Sequence, residues 1–225
     1  MLRQTDTLLG ARPPGCAYFE AFRALRTNIA AAQEKERFSS LLITGARPGD
    51  GKTTVAVNLG IVAALARKKV ALVDADLRHP AIGEMLELPP GPGLVDVCNG
   101  EASLDDALVR TDIETLCVLP TGATWRMAAE LLGSTEMSDA LGDMRERFDL
   151  VILDSPPVGA VADAGVLSRL VERTLLVVRA GSRSPEPELR ALQSLEYAGA
   201  RILGIVVNDI LPRDSMTYQQ YYSYR

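Results

Sequence analysis

At 225 residues, 47% hydrophobic and 24% charged, the chain is long enough for one large α/β domain with a real core and too short for two full ones. A formal charge of -5, with no basic run beyond Arg67, Lys68 and Lys69, argues against a nucleic-acid surface, because holding a phosphate backbone needs a basic patch. Cys16, Cys98 and Cys117 are scattered and His79 is the single histidine, so neither a disulfide framework nor a zinc site is indicated and a reducing cytoplasm is expected.

Residues 1–17 hold Gly10, Pro13, Pro14 and Gly15 with little periodicity and read as an extended or flexible arm. A helix is expected from Tyr18, with Phe22, Leu25 and Ile29 on one face and Glu20, Arg23 and Arg26 on the neighbouring one. Pattern alone makes those charges a solvated face with an intrahelical pair. Leu41 to Val57, LLITGARPGDGKTTVAV, reads as a buried strand, a glycine-containing loop and the start of a helix. That is the context a phosphate-binding loop requires: small residues let backbone amides turn inward, and the new helix points its positive end at the same charge. Gly49, Asp50, Gly51, Lys52, Thr53 and Thr54 are the expected nucleotide-binding residues, Lys52 on the β/γ-phosphates and the Thr53 hydroxyl on Mg²⁺. In the strict frame GxxxxGK[ST] the first glycine position is Ala46, with Gly45 one residue early. The next helix, Val55 to Ala66, is too short, and too interrupted by Asn58, to span a bilayer, so any membrane association is expected through a partner.

A strand at Lys69 to Val73 ends in DADLRHP, which sets Asp74 and Asp76 at the C-terminal edge where open parallel sheets bind ligands. Residues 80–115 suggest only short helices and turns. A strand at Leu116 to Leu119, a helix through Ala128 to Leu132 and another from the N-cap Ser134 to Arg147 come next. Leu150 to Leu153 is a second continuous apolar run, ending in Asp154 as a Walker B strand does. Strands at Leu175 to Val178 and Ile202 to Val207 flank a helix starting near Pro185, and the second ends at Asn208. This alternation predicts a mostly parallel, doubly wound sheet with helices on both faces, the P-loop NTPase fold. The last segment changes character: Tyr218, Tyr221, Tyr222 and Tyr224 crowd a polar end with too few aliphatics for a core, expected to be a mobile tail over 212–225.

Taken together these segments resemble the bacterial tyrosine kinases of capsule and exopolysaccharide synthesis, in their free-standing cytoplasmic form. EAFRALRTNI looks like the family's ExxRxxR oligomerisation helix, TGARPGDGKTT its Walker A loop, ALVDADLR its Walker A′ segment, VILDSPP its Walker B strand, and the tyrosine-rich end its autophosphorylated cluster. The family does not require the strict first glycine. One departure is visible: the family commonly has Asn-Pro before the ELL segment, where Met127-Ala128 stand here.

The resemblance implies an ATP-dependent protein-tyrosine kinase with Mg²⁺ as cofactor, a kinase domain over 18–211, and a homo-oligomeric ring with Glu20, Arg23 and Arg26 at the subunit contact. Lys52, Asp74 and Asp76 are the expected catalytic residues, Asp74 taking the tyrosine hydroxyl proton; Thr53, Asp76 and Asp154 serve the metal; Asn208 contacts adenine. Arg78 either steadies the aspartates or substrate, or makes a structural ion pair. Tyr218, Tyr221, Tyr222 and Tyr224 are the expected phosphoacceptors. From Ile210 an extended chain reaches Tyr218 within about 27 Å and Tyr224 within about 48 Å, at roughly 3.4 Å per residue, which suits a neighbour's site in a ring better than its own. The implied partner is a transmembrane polysaccharide co-polymerase adaptor that recruits the chain to the inner face of the cell membrane, with other protein-tyrosine substrates open. Two rivals are a partitioning-type P-loop ATPase and a nucleotide-dependent scaffold of polysaccharide assembly. The first carries a signature lysine where Arg47 stands here and leaves the tyrosine cluster unexplained.

Overall fold

The computed structural model describes residues 8, 16–123, 127–181 and 184–210. The tail tyrosines and most of the expected N-terminal arm lie outside the described residues. Seven strands form one sheet: β1 Ser40–Gly45, β2 Val70–Asp74, β3 Val109–Arg110, β4 Leu116–Leu119, β5 Leu150–Asp154, β6 Arg173–Arg179 and β7 Ile202–Asn208. They lie in the order β3-β4-β2-β5-β1-β6-β7. Every neighbouring pair is parallel except β3 with β4. The helices among the described residues are α1 Ala17–Glu36, α2 Lys52–Leu65, α3 Ile82–Met85, α4 Leu94–Cys98, α5 Leu104–Ala107, α6 Ala128–Leu132, α7 Thr135–Arg147, α8 Asp163–Leu170 and α9 Glu186–Tyr197. This is the mostly parallel, doubly covered P-loop fold that the sequence predicts.

The continuous apolar runs follow from burial on both faces. Successive side chains of a strand point to opposite sides, so Leu41, Ile43, Val70, Leu72, Leu150 and Ile152 pack with α1 and α2 in one core. Leu42, Ala71, Val73, Val151 and Leu153 pack with α4, α6, α7 and α8 in the other. Consequently β1, β2 and β5 are buried along their whole length. Ser134 caps α7 as expected, its hydroxyl accepting from the Met137 amide at 3.2 Å. α2 ends at Leu65, so Arg67, Lys68 and Lys69 lie beyond its cap. The sequence pattern did not indicate α8 or the two-residue β3. Among the described residues no helix is long and apolar enough to cross a membrane.

β2, β5 and β1 are adjacent in the sheet although they come from distant parts of the chain, so the loops at their C-terminal ends converge on one edge.

Candidate active site

The loop after β1 turns at Gly49 and Gly51, both in the left-handed region with φ of 84° and 89°. Gly51 is required twice over: besides its φ, an added Cβ would lie 2.0 Å from the Asn208 Nδ2. Gly45, outside the strict motif frame, faces the Lys52 stem, with Lys52 Cγ 3.0 Å from where its Cβ would be. Asp50 braces the turn from within, its Oδ2 accepting from the Arg47 amide at 2.8 Å. From the far side Asn208 Nδ2 donates to the Asp50 carbonyl at 3.0 Å, tying the end of β7 to the loop. Lys52 itself is buried at the head of α2 and has no ion-pair partner among the described residues.

Two carboxylates stand at the ends of the neighbouring strands, and one of them reaches the head of α2. Asp74 and Asp154 are register partners at the ends of β2 and β5. Asp154 Oδ2 accepts from the Thr53 hydroxyl at 2.5 Å across 101 positions of sequence. Asp74 Oδ2 accepts from the Ala81 and Ile82 amides at 3.0 and 2.9 Å. The remaining oxygen of each, Oδ1, is buried and has no hydrogen-bond partner among the described residues. Burial pushes Asp154 up to about 8, against the Thr53 hydrogen bond and the Lys52 charge, with Asp74 adding to the rise. Burial also raises Asp74, to about 6, against its two amide donors. Asp76 turns its Oδ1 to the His79 amide at 3.0 Å.

Orphaned buried carboxylate oxygens beside a threonine hydroxyl are an unfavourable arrangement alone and a suitable one for a hard cation. Among the described residues no three or more His, Cys, Asp or Glu side chains converge into a metal cage. Mg²⁺ at a nucleotide needs only one or two protein groups, the rest of its shell being phosphates and water. The residues present therefore fit a nucleotide-borne Mg²⁺.

The structure thus brings Gly49, Asp50, Gly51, Lys52, Thr53, Thr54, Asp74, Asp76, Asp154 and Asn208 to one sheet edge. Arg78 makes a two-pronged ion pair with Asp163, Nε to Oδ2 at 2.8 Å and Nη2 to Oδ1 at 3.1 Å, and Asp163 is fully buried. Sequence reasoning missed Asp163; its only signal is an aspartate opening a short helix after the Walker B turn. It also missed Glu188, which with the Ser184 carbonyl holds Arg47 Nη2 at 3.5 and 3.0 Å. Glu20, Arg23 and Arg26 lie apart, on α1, where Arg23 pairs with Glu20 at 3.2 Å and stacks over Phe19. Met127 is exposed ahead of α6 and Ala128 is buried, next to residues 124–126, which are outside the described set.

A family model described as an AAA domain matches residues 40–170. Tyrosine-protein kinase YwqD of Bacillus subtilis (strain 168) is 34% identical over 206 residues, covering 92% of this chain and 87% of that protein. The kinase domain of the Escherichia coli tyrosine kinase ETK superposes with a TM-score of 0.86 at 32% identity, over 94% of this chain and 82% of that one. The full-length etk protein of strain K12 is matched over 28% of its length. The chimerical protein CapA2B2 gives a TM-score of 0.86 at 30% identity over 91% of this chain and 90% of that one. A nucleotide-binding P-loop, the carboxylates gathered around it and these likenesses over almost the whole chain have one reading: the chain belongs to the bacterial tyrosine-kinase family and is a tyrosine-protein kinase.

Proposed function

We propose that the chain transfers the γ-phosphoryl of ATP to tyrosines of its own C-terminal tail, Tyr218, Tyr221, Tyr222 and Tyr224, in a neighbouring copy, and that this cycle regulates capsule or exopolysaccharide synthesis and export. The observation that carries the reading is the contact of Thr53 with Asp154, beside two buried carboxylate oxygens that a cation on a nucleotide would satisfy. In this reading residues 18–211 are the kinase domain, with 1–17 an arm before it and 212–225 the acceptor segment.

Each residue has a task in this scheme. The amides of Gly49 to Thr54 bind the phosphates, and Lys52 neutralises charge on the β/γ-phosphates. Thr53, Asp76 and Asp154 would hold Mg²⁺, and the bound ion would supply charge neutralisation on the transferring group. Asp74 orients the acceptor hydroxyl through its Oδ1 and takes the proton there. An upward-shifted carboxylate, near 6, is a better base than an ordinary one while still ionised near neutrality. Asn208 contacts adenine while bracing the loop. Arg78, fixed by Asp163, presents a constant positive edge beside Asp76.

Two partners belong to the proposal: a ring of copies joined through Glu20, Arg23 and Arg26, and a transmembrane co-polymerase whose cytoplasmic segment recruits the chain to the membrane's inner face. The test is intact-mass spectrometry after incubation with ATP and Mg²⁺, on the wild-type chain, Lys52→Met and a chain ending at Thr217. Multiple phosphoryl-sized additions that need Lys52 and vanish with the tail are expected. No additions despite measured ATP binding would replace the autokinase with a nucleotide-dependent scaffold.

A further inference from the structure

Two tyrosines fall among the described residues, and they differ sharply. Tyr18 is built into the fold: its hydroxyl accepts from Asn58 Nδ2 at 3.1 Å and its ring packs edge-on against Phe22. Tyr197, the last residue of α9, is 93% exposed. It stands on the rim of a groove of about 640 Å³ to which Arg145, Arg169, Arg201 and Glu172 also contribute. Arg145 is already engaged, donating to the Ser40 hydroxyl and the Leu170 carbonyl. The Arg169 and Arg201 side chains belong to exposed residues and have no ion-pair or hydrogen-bond partner among the described residues.

We propose that Tyr197 is a phosphoacceptor of this kinase, modified by a second copy of the chain and held in its phosphorylated form by Arg169 and Arg201. The proposal rests on the tyrosine-kinase reading and adds a site away from the tail. An exposed phenol alone would not suffice, since a phosphate at a helix C-terminus meets the negative end of the helix dipole. The two guanidinium groups on the same groove supply the compensation, as paired donors to the phosphate oxygens. Presentation is also inexpensive, because α9 stops at Tyr197 and the chain leaves through Ala198 and a left-handed Gly199 with φ of 80°.

The modification has to occur in trans. β7 begins just after this turn and runs 7 residues to Asn208, whose side chain touches the P-loop. At about 3.3 Å per residue the strand sets Tyr197 roughly 20 Å from its own nucleotide loop, across a rigid sheet. In the transfer, the bond from the γ-phosphorus to the β–γ bridging oxygen breaks and leaves its electron pair on ADP. The Tyr197 Oη–P bond forms, and the phenolic proton passes to Asp74 of the acting copy and then to solvent.

The experiment mixes a tagged Lys52→Met chain, as acceptor, with untagged wild-type chain, ATP and Mg²⁺, then repurifies the acceptor and maps its phosphopeptides. Phosphate on Tyr197 of the acceptor is expected, at an initial rate rising with wild-type concentration, and missing when the acceptor also carries Tyr197→Phe. Tail tyrosines phosphorylated with Tyr197 bare would overturn this inference and leave the autokinase standing. No phosphate on any tyrosine despite ATP binding would overturn both. For the arginines, phosphorylated Arg169→Ala, Arg201→Ala chain should lose its Tyr197 phosphate to a tyrosine phosphatase several-fold faster than wild type; equal rates would refute their role.

Discussion

At Asp154 the fold and the proposed chemistry meet in a single residue. It sits at the end of a fully buried strand, holds Thr53 with one oxygen and leaves the other unsatisfied, so burial drives its carboxyl toward the protonated form. At neutral pH, with no nucleotide bound, an amide is therefore a close replacement in both shape and charge. Asp154→Asn is expected to keep its thermal midpoint within a few degrees of wild type, about 1 kcal/mol in a chain of this size. Phosphoryl transfer should nonetheless fall by roughly two orders of magnitude, the scale of losing a preorganised group that serves the transition state. Differential scanning fluorimetry beside an autophosphorylation time course separates the two effects. A variant that loses stability and activity together would assign Asp154 to the scaffold alone. Asp163 teaches the complementary point: its partner Arg78 comes 85 positions earlier, and no local pattern connects an aspartate after one strand to an arginine after another.

At the scale of elements, what was legible depended on whether local pattern or pairing across the sheet decided the outcome. β1, β2 and β5 were readable because burial on both faces forces unbroken apolar runs, and α7 because Ser134 announces its start. α8 escaped because it is only eight residues long and contains Gly165, too short a stretch for helical spacing to stand out from its surroundings. β3 escaped because two residues become a strand only through their partner β4. The nucleotide loop and both strand-end aspartates were legible, whereas the bracing of Arg47 by α9 and of the loop by Asn208 was not, since both cross more than 130 positions. Glu172 is a further example, and a testable one. Its Oε2 accepts from the Ser39 and Ser40 amides at 2.7 and 3.0 Å and so fastens the entry of β1 to the turn before β6. Burial alone would raise its carboxyl; the two amides, with Arg145 nearby, outweigh that and hold it below the ordinary 4.5. A depressed carboxylate contributes stability that is present above its unfolded value and lost as pH falls through the folded one. Wild type should therefore lose stability relative to Glu172→Gln as pH drops below about 4.5. At pH 7 the substitution should cost about 1–3 kcal/mol, the scale of weakening a charged acceptor of two partly buried amides. Urea titrations of both chains at several pH values test this, and a pH-independent gap would contradict it.

For the whole molecule, the proposed autokinase raises the question of how a nucleotide site at one edge of a rigid sheet would serve tyrosines elsewhere on its own chain. On that proposal a neighbouring copy supplies the site, and the proposed contact is the face of α1 that carries Glu20, Arg23 and Arg26. In the single chain Glu20 and Arg23 satisfy each other at 3.2 Å, with both side chains about half exposed. Such a pair within a helix is worth only about 0.2–0.5 kcal/mol, so exchanging it for contacts with another copy costs little. Arg23→Ala, Arg26→Ala chain should keep its fold and its ATP affinity, because neither residue touches the nucleotide loop. Its autophosphorylation per molecule should drop several-fold at low micromolar concentration and recover as concentration rises, while wild type changes far less over the same range. Light scattering should show the variant smaller than wild type before ATP is added. After phosphorylation the wild type should shrink too, since each phosphate adds about -1.5 to -2 charge to one short segment and neighbouring tails then repel. Equal rates per molecule for both chains at every concentration would place the subunit contact elsewhere than α1. Wild type that stays the same size when fully phosphorylated would show that charge on the tail does not open the assembly.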